Sequence, residues 1–297
     1  MDYDINIVNS FTGEDAEGNP AGVMISREDI AATLMQEIAK RVGFSETAFV
    51  TPLMDKSNEY KIRWFTTLTE VPLCGHATLA AAAVIFQKSE EKPAPDQSLK
   101  KEAGSLDISD SDRNNKIRFH SQSGILEVFR QQDRFVLDFP LDVPVPYHLP
   151  ENLLTAMSID SYVSSAYGKL TNYLLIHLQN EEIVTRLSPN FQLLQELNLP
   201  CSGGIIVTAL SDNPNYDFVS RFFAPWEGIM EDPVTGSAHS LLTPYWQPIV
   251  KKSEMNARQI SSRGGILYLK AKDDRRVFIG GSAEIIGKMS ISIIQAQ

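Results

Sequence analysis

The chain has 297 residues, 43% of them hydrophobic and 22% charged, which predicts a soluble protein of two ordinary domains with a buried core. Its net charge of −10 argues against nucleic acid or an anionic membrane as a partner. The sequence has no apolar signal segment and no stretch long enough to span a bilayer, and its two cysteines, Cys74 and Cys201, offer no disulfide framework. We therefore expect a cytoplasmic location.

Hydrophobic periodicity predicts strands and a few helices in a repeated order. The first strand is predicted at Asp4–Val8, and the first helix is expected to begin at a cap between Ser26 and Asp29 and to stop at Gly43. The other elements of the first half are strands near 46–51 and 60–66, an alanine-rich helix near 76–87, a surface excursion over 88–116, and strands near 117–121, 124–130 and 134–139. Those of the second half are helices near 150–157, 188–197 and 237–250, strands near 161–166, 173–178, 203–209 and 216–224, and closing strands to 294. This is an α+β pattern.

The two halves carry a repeat. Residues 60–79 and 216–241 each run from an aromatic-rich strand through an acidic, proline-containing loop into a turn of small residues that opens a helix. Two copies predict two pseudo-symmetric lobes, 1–140 and 141–288, each a largely antiparallel β-sheet around one central helix, with the strand near 289–297 completing the first. We expect the active site in the cleft between the lobes, where the two helix starts would face each other.

The matched turns suggest a binding site for a carboxylate. When the prolines of the two loops are aligned, Gly75-His76 falls on Gly236-Ser237. Glycine permits unusual backbone angles and close approach of a ligand, and the free amides of a helix start attract anions. The side chains of His76 and Ser237 could add polar contacts. Alternatively, Ser237 only caps its helix and His76 lies on the surface.

Two carboxylates are candidates for acid–base chemistry. Glu46 lies between a helix stop and an apolar strand, where a glutamate can have a raised pKa, and the second copy has Gly203 at the matching place. The alternative for Glu46 is an exposed position on an edge strand. Asp232 precedes the second helix start and could bind the substrate, hold an imidazole, or cap the turn before Pro233. Glycine motifs for nucleotides and histidine–carboxylate spacings for metals are missing from the sequence, so we expect neither cofactor nor metal.

These residues carry a resemblance to a known family. The set GNPAGV (18–23), SETAFV (45–50), RWFTTLTEVPLCGHATLAAA (63–82) and EDPVTGSAHS (231–240) resembles the PhzF family, named after an isomerase of phenazine biosynthesis. The resemblance covers essentially the whole chain and implies the fold of diaminopimelate epimerase. The functional glutamate, histidine, aspartate and serine of the family match Glu46, His76, Asp232 and Ser237. It also implies that the glutamate moves a proton between substrate carbons without metal or organic cofactor.

The cysteines distinguish this chain from the racemases that share the fold. Diaminopimelate epimerases and proline racemases use one cysteine at each helix start, whereas here Cys74 stands at the first start and Thr235 at the second. Cys201 lies away from the helix turn, so a two-thiol racemase is not expected. A Cys/Thr pair also occurs in the related 3-hydroxyproline dehydratases, which leaves open a one-base epimerase or dehydratase that uses Cys74. Cys74 is either a reactive thiol, since a helix N-terminus lowers thiol pKa, or a small packed residue.

We predict a cofactor-independent isomerase that acts on a small, carboxylate-bearing, cyclic substrate. Glu46 is expected to transfer the proton, with His76 and Asp232 orienting and polarising the substrate. The residues expected to bind the substrate are Gly75, Gly236, Ser237 and Asn19. The alternative from another class is a non-catalytic protein that binds a small molecule on the same fold. Relatives of this family are often dimers, which makes a homodimer the expected assembly.

Overall fold

The computed structural model describes residues 1–54, 56–90, 106, 108, 115–199 and 203–293. The chain divides into two compact units. The first consists of Met1–Thr12, Asn19–Asp138 and the chain from Gly280 on, and the second of Gly13–Gly18 and Phe139–Ile279. None of the helices in the described residues has the length and apolar character that crossing a membrane requires.

The first unit is a mixed sheet with two helices. Its elements are β1 (Asp2–Thr12), β2 (Asn19–Ile25), α1 (Ala32–Val42), β3 (Glu46–Pro52), β4 (Glu59–Phe65), β5 (Glu70–Val71), α2 (Gly75–Glu90), β6 (Lys116–Ser121), β7 (Gly124–Gln131) and β8 (Arg134–Pro140). Strands β2 and β3 are parallel, as are β4 and β6, while the pairs β1–β2, β3–β4, β4–β5, β6–β7 and β7–β8 are antiparallel.

The second unit contains a sheet with more short helices. Its elements are β9 (Pro144–Pro146), α3 (Glu151–Met157), β10 (Ser164–Gly168), β11 (Tyr173–His177), α4 (Glu181–Arg186), α5 (Phe191–Glu196), β12 (Gly204–Leu210), β13 (Phe218–Ala224), a 3-10 turn (Pro225–Glu227), β14 (Ile229–Asp232), α6 (His239–Val250), β15 (Glu254–Gln259) and β16 (Gly265–Ala271). The last strand, β17 (Arg276–Ser292), begins in this unit, and its later part pairs antiparallel with β1 in the first unit.

The two units repeat one strand topology. Strands β1 to β7 correspond to β10 to β16, and every pairing has its counterpart with the same direction. The parallel pair β2–β3 matches β11–β12, and the parallel pair β4–β6 matches β13–β15. The antiparallel pairs β1–β2, β3–β4, β4–β5 and β6–β7 match β10–β11, β12–β13, β13–β14 and β15–β16. The predicted duplication is therefore confirmed at the level of strand pairing.

Each unit has one helix at its centre, between corresponding strands. Every residue of α2 from Gly75 to Phe86 is buried, which agrees with its alanine-rich, uniformly apolar sequence, and the helix contacts β1, β2, β3 and β7. In α6, Trp246 is fully buried, stacks on Phe218 with ring centroids 5.4 Å apart, and donates to the hydroxyl of Thr208 at 3.0 Å. These contacts fix the helix on its own sheet.

Two observed helices, α1 and α4, differ from the prediction. Helix α1 begins at Ala32, because Ser26 forms a local turn in which its hydroxyl donates to the carbonyl of Glu28 at 2.8 Å. The stop at Gly43 is confirmed, since this residue has φ of +78° and its amide closes the helix. The helix predicted near 188–197 is confirmed as α5, whereas α4, over Glu181–Arg186, was not predicted. Each of these two short helices is capped by an asparagine side chain. Most of the predicted excursion over 88–116 and Cys201 lie outside the described residues.

The strand registers correct the residue that matches Glu46. Val71 pairs with Trp64, and Asp232 pairs with Phe222, so Trp64 and Phe222 occupy the same place in the two units. Trp64 pairs with Ala48 of β3, and Phe222 pairs with Ile206 of β12, so Ala48 and Ile206 also correspond. Glu46, two residues before Ala48, therefore corresponds to Gly204, and the predicted match to Gly203 is one residue off. Gly204 has φ of +151°, and a Cβ built on it would lie 2.3 Å from the Phe222 ring. The second unit therefore has no room for a side chain where the first unit has its glutamate.

We predict that Gly204→Ala destabilises the protein by roughly 1–3 kcal/mol, because the new methyl group overlaps the Phe222 ring on a backbone that suits glycine. Chemical denaturation measures the free energy of unfolding. The matched control is Gly287→Ala in β17, where a Cβ meets no heavy atom within 4 Å. This control should change the free energy by no more than about 0.5 kcal/mol. Equal effects of the two substitutions would contradict the steric explanation.

Candidate active site

Four predicted site residues of the first unit converge around one imidazole. Glu46 is the first residue of β3, Asn19 is the first of β2, and Cys74 and His76 flank the first residue of α2. The Oε2 atom of Glu46 lies 3.4 Å from Nε2 of His76, and Sγ of Cys74 lies 3.5 Å from Nδ1 of the same ring. The side-chain amide of Asn19 lies 3.3 Å from that Nδ1. Residues up to 57 positions apart in sequence are thus in direct contact.

Burial governs the chemistry of the Glu46 carboxyl group. Glu46 is 9% exposed, and its place at the entrance of a strand with four buried residues behind it removes water from the carboxylate. This loss of solvation raises the pKa of Glu46 above 4.5, partly opposed by the hydroxyl of Ser45. The alternative of an exposed edge-strand glutamate is therefore wrong. A carboxyl group with a raised pKa exchanges protons at a pH closer to neutrality than an ordinary glutamate does.

The contacts of His76 hold its ring in place. The side-chain amide of Asn19 lies 3.3 Å from Nδ1, and Nε2 faces the Glu46 carboxyl group at 3.4 Å. The hydroxyl of Ser10 donates to the backbone carbonyl of His76 at 2.8 Å. Since the side chain of His76 is 5% exposed, the alternative of a surface histidine is wrong.

Cys74 lies immediately before α2 and is buried together with His76. Its carbonyl accepts bonds from the amide and the hydroxyl of Thr78, which joins it to the first turn of the helix. The thiol is 7% exposed and faces the imidazole at 3.5 Å. An imidazole and a helix N-terminus are both features that stabilise a thiolate. Cys74 is thus a packed residue that also has an acid–base partner.

The matching turn of the second unit is built differently. The carboxylate of Asp232, at the end of β14, accepts a bond from the hydroxyl of Thr235 at 2.5 Å. Gln259 of β15 fastens the same turn, because its amide nitrogen donates to the carbonyl of Asp232 at 2.8 Å and its oxygen accepts from the amide of Thr235 at 2.9 Å. Asp232 therefore stabilises the turn before α6, which is one of the three roles considered for it.

Ser237 precedes α6 and has an aromatic partner. A turn with i to i+3 bonds, from Gly236 to His239 and from Ser237 to Ser240, comes before the regular helix. The Ser237 hydroxyl lies 2.9 Å from the hydroxyl of Tyr173. Tyr173, the first residue of β11, pairs with Gly204, as Ala21 pairs with Glu46 in the first unit. Tyr173 and Ala21 therefore occupy corresponding positions. The cap position of α6 is Ala238, without a side-chain cap bond, so the alternative that Ser237 only caps the helix is wrong.

Sequence reasoning missed Ser10, Tyr173 and Gln259, and it assigned one property wrongly. Neither Gly75 nor Gly236 has a positive φ, so the backbone itself does not require glycine at these positions. Ser10, Tyr173 and Gln259 lie on strands that precede or follow the recognised motifs, and only the strand register identifies them. The repeat could have indicated Tyr173, because β2 and β11 occupy corresponding places.

The predicted site residues fall into both units. The first unit contains Asn19, Glu46, Cys74, Gly75 and His76, and the second contains Asp232, Gly236 and Ser237. Whether the two sets act on one substrate stays a prediction.

Three of the clustered side chains could hold a metal ion. One donor atom from each of Glu46, Cys74 and His76 lies within 4.8 Å of the other two. Carboxylate, thiolate and imidazole are the three ligand types of zinc sites. Sequence spacing did not reveal this group, because β3 and α2 bring together residues that are about thirty positions apart.

We predict that Glu46→Gln makes the protein more stable than the wild type at pH 7 and that this advantage shrinks as the pH falls to 4.5. The pKa of Glu46 is higher in the folded protein than the unfolded value of 4.5. The protonated carboxyl group therefore favours the folded state below pH 4.5, and this contribution to stability is lost as the pH rises through the folded-state pKa. Urea denaturation at both pH values measures the effect. The exposed Glu28 supplies the control, Glu28→Gln. A Glu46→Gln variant that loses stability on going from pH 4.5 to pH 7 relative to wild type would contradict the burial argument.

His239 gives the second unit a pH dependence of opposite sign. It is fully buried, its Nδ1 donates to the carbonyl of Thr235 at 2.9 Å, and burial lowers its pKa from 6.5 to about 4. Because the unfolded chain takes up this proton first, the stability that depends on neutral His239 is present above pH 6.5 and is lost as the pH falls towards 4.

We predict that the wild type loses up to roughly 3 kcal/mol more than His239→Gln between pH 7 and pH 4. Urea denaturation of both proteins across this range measures the difference. His148→Gln, at an exposed histidine, is the matched control and should follow the wild type. A His239→Gln variant with the same pH dependence as the wild type would show that His239 is not held neutral.

Comparison with known proteins agrees with this architecture. The family model of phenazine biosynthesis-like proteins (PhzC-PhzF) matches residues 8–288. An uncharacterized isomerase of Halalkalibacterium halodurans is 38% identical over 294 residues, covering 96% of this chain and 97% of the relative. The crystal structure of a PhzF-family phenazine biosynthesis protein from Enterococcus faecalis has a TM-score of 0.82 and 35% identity, covering 99% of this chain and all of that one.

A more distant structure has the same fold. A probable proline racemase of Agrobacterium radiobacter covers 98% of this chain and 93% of its own, with a TM-score of 0.60 and 9% identity. The predicted α+β, diaminopimelate epimerase-like fold is thereby confirmed. Together with the match over 8–288, these similarities show that the chain belongs to the PhzF family of phenazine biosynthesis-like proteins.

Proposed function

We propose that this protein is a cofactor-independent isomerase in which Glu46 moves a proton between carbons of a small, carboxylate-bearing, cyclic substrate. The observation that carries the proposal is the buried Glu46 carboxyl group, whose pKa burial raises and which lies 3.4 Å from His76. A carbon acid needs a base that accepts its proton and then returns it, and a shielded carboxyl group with a raised pKa suits both steps.

The names of relatives support this class of reaction. The 38% identical protein of Halalkalibacterium halodurans and a second one, 38% identical over 293 residues, from Pseudomonas aeruginosa are both named uncharacterized isomerases. Neither name states a substrate. The carboxylate of the proposed substrate rests on the helix starts of this chain, and its cyclic character rests on the resemblance to the PhzF family.

The asymmetry between the repeats favours one base over two. A two-base racemase needs a proton carrier on each side of the substrate carbon. Thr235 occupies the place that corresponds to Cys74, and a threonine hydroxyl does not ionise near neutral pH. The place that corresponds to Glu46 is Gly204, which has no room for a side chain. A single carboxyl group that removes and returns the proton is consistent with this arrangement.

The substrate carboxylate is proposed to bind at the start of α2. The first amides of a helix have no intrahelical acceptor, and the helix dipole adds positive potential there. Gly75 and His76 contribute these amides, and the imidazole of His76 can donate a hydrogen bond to a substrate oxygen when the facing nitrogen carries the proton. Gly236, Ser237 and Asp232 are proposed to contact the same substrate, as the sequence repeat suggests.

A second candidate function is a one-base epimerase or dehydratase in which Cys74 is the base. The observation in its favour is the 3.5 Å distance between Cys74 Sγ and His76 Nδ1, with Glu46 on the other side of the ring. In that arrangement the imidazole would take the thiol proton and Glu46 would orient the imidazole. The two candidates assign the base to different residues, so substitution separates them.

We predict that Glu46→Gln lowers proton exchange by at least about 10²-fold, while Glu28→Gln leaves it unchanged. Proton NMR of candidate cyclic carboxylates in heavy water, with each protein added, measures deuterium uptake and isomerisation. Cys74→Ala should retain most of the exchange.

The same assay separates the alternatives. Full exchange with Glu46→Gln on a substrate that the wild type turns over would overturn the glutamate assignment. Loss of exchange in Cys74→Ala alone would favour the thiol-based reaction. A protein that binds these carboxylates but exchanges no proton on any of them would be a non-catalytic binding protein.

A further inference from the structure

The side chains of Glu46, Cys74 and His76 combine three kinds of metal donor in one buried place. Their exposures are 9%, 7% and 4%. One donor atom of each lies within 4.8 Å of the others, and the two contacts with the imidazole are already 3.4 and 3.5 Å long. The carboxylate lies next to Nε2 of the ring and the thiol lies next to Nδ1. When a metal binds one of these nitrogens, the donor beside the other nitrogen must move towards the metal.

A second observation points to a cation at the same place. The Oε2 atom of Glu46 is buried and accepts no hydrogen bond from any residue that the structure describes. A buried carboxyl oxygen without a donor is costly, and a bound cation would satisfy it. This oxygen is the one that faces His76.

We propose that a thiophilic divalent cation, with Zn²⁺ the best suited, binds to Glu46, Cys74 and His76 and reversibly blocks the site. Zinc binds sulfur at about 2.3 Å, nitrogen at about 2.0–2.1 Å and carboxylate oxygen at about 2.0–2.2 Å in a tetrahedron. Donor atoms in such a tetrahedron are roughly 3.3–3.7 Å apart, so the present group must contract by about 1 Å at its widest separation. Water would take the fourth position.

The chemistry of the donors selects the metal. Thiolate is a soft ligand that favours Zn²⁺ and Cd²⁺ over Mg²⁺ and Ca²⁺. Binding needs all three donors in their deprotonated forms, so the thiol proton of Cys74 and any proton on the Glu46 carboxyl group pass to the buffer. The imidazole keeps its proton on the nitrogen that does not bind the metal, and no electron is transferred. The effect of binding on catalysis rests on the proposed function, because coordination occupies the Glu46 oxygen that would accept the substrate proton. The binding itself does not depend on that function.

Titration of the substrate-free protein with Cd²⁺ tests the site. A cadmium–thiolate bond gives an ultraviolet charge-transfer band, and displacement of this band by added Zn²⁺ measures zinc affinity. We expect the band to saturate at one equivalent of metal in the wild type. Cys201→Ser, at the other cysteine of the sequence, is the matched control and should keep the band and the affinity.

The substitutions at the site have distinct expected results. Cys74→Ser should abolish the band and weaken Zn²⁺ binding by at least about tenfold, and Glu46→Gln should keep the band with weaker binding. Circular dichroism and thermal unfolding establish that each variant is folded, and Cys74→Ala replaces Cys74→Ser if the latter is not. A wild type without the band, or a band lost in Cys201→Ser and kept in Cys74→Ser, would overturn the proposal.

The activity arm uses the proton-exchange assay with Zn²⁺ alone and then with a chelator. We expect Zn²⁺ to stop exchange and the chelator to restore it. Exchange that continues at saturating Zn²⁺ would overturn the inhibitory role. If no substrate exchanges a proton, the proposed isomerase fails while the cadmium result still decides the metal site. If exchange depends on Glu46 and no thiolate band appears, the metal site fails alone.

Discussion

The arrangement at this site depends on the contact between a buried carboxyl group and an imidazole. Glu46 is the first residue of β3 and His76 is the second residue of α2, so the contact exists because β2 and β3 run in parallel beside that central helix. Asn19, at the start of β2, contacts Nδ1 of the ring, and the hydroxyl of Ser10 in β1 donates to the backbone carbonyl of His76. Three strands and one helix therefore converge on this contact between a carboxyl group and an imidazole.

The repeated topology explains how such a group can be present in only one unit. Both units use the same strand order, yet the position of Glu46 is taken by Gly204, against which Phe222 packs. In the second unit Tyr173 extends from the neighbouring strand and meets Ser237 instead. The common frame supplies two helix starts. Different side chains give the first a buried carboxyl group beside an imidazole and the second hydroxyl groups beside the Asp232 carboxylate. This difference is the physical basis for proposing one base.

Much of this could be predicted from the sequence, and the failures have physical causes. Motifs at the helix starts and the periodicity of the strands predicted the duplicated α+β fold, because glycine turns and apolar periods are local signals. The match between Glu46 and Gly203 was one residue off, since only pairing between strands defines a register. The contacts of Tyr173 and Gln259 depend on neighbouring strands, and no local pattern encodes them. Helix α4 was missed because a helix of six residues leaves little periodicity to detect.

The central claim is that Glu46 is a shielded carboxyl group that carries a proton more readily than an exposed glutamate. The most direct test is a ¹³C NMR titration of protein labelled at the glutamate carboxyl carbons, in which the Glu46 resonance is identified by its loss in Glu46→Gln. The structure predicts a pKa above 4.5 for this resonance, because burial disfavours the charged form. A pKa at or below 4.5 would contradict the account.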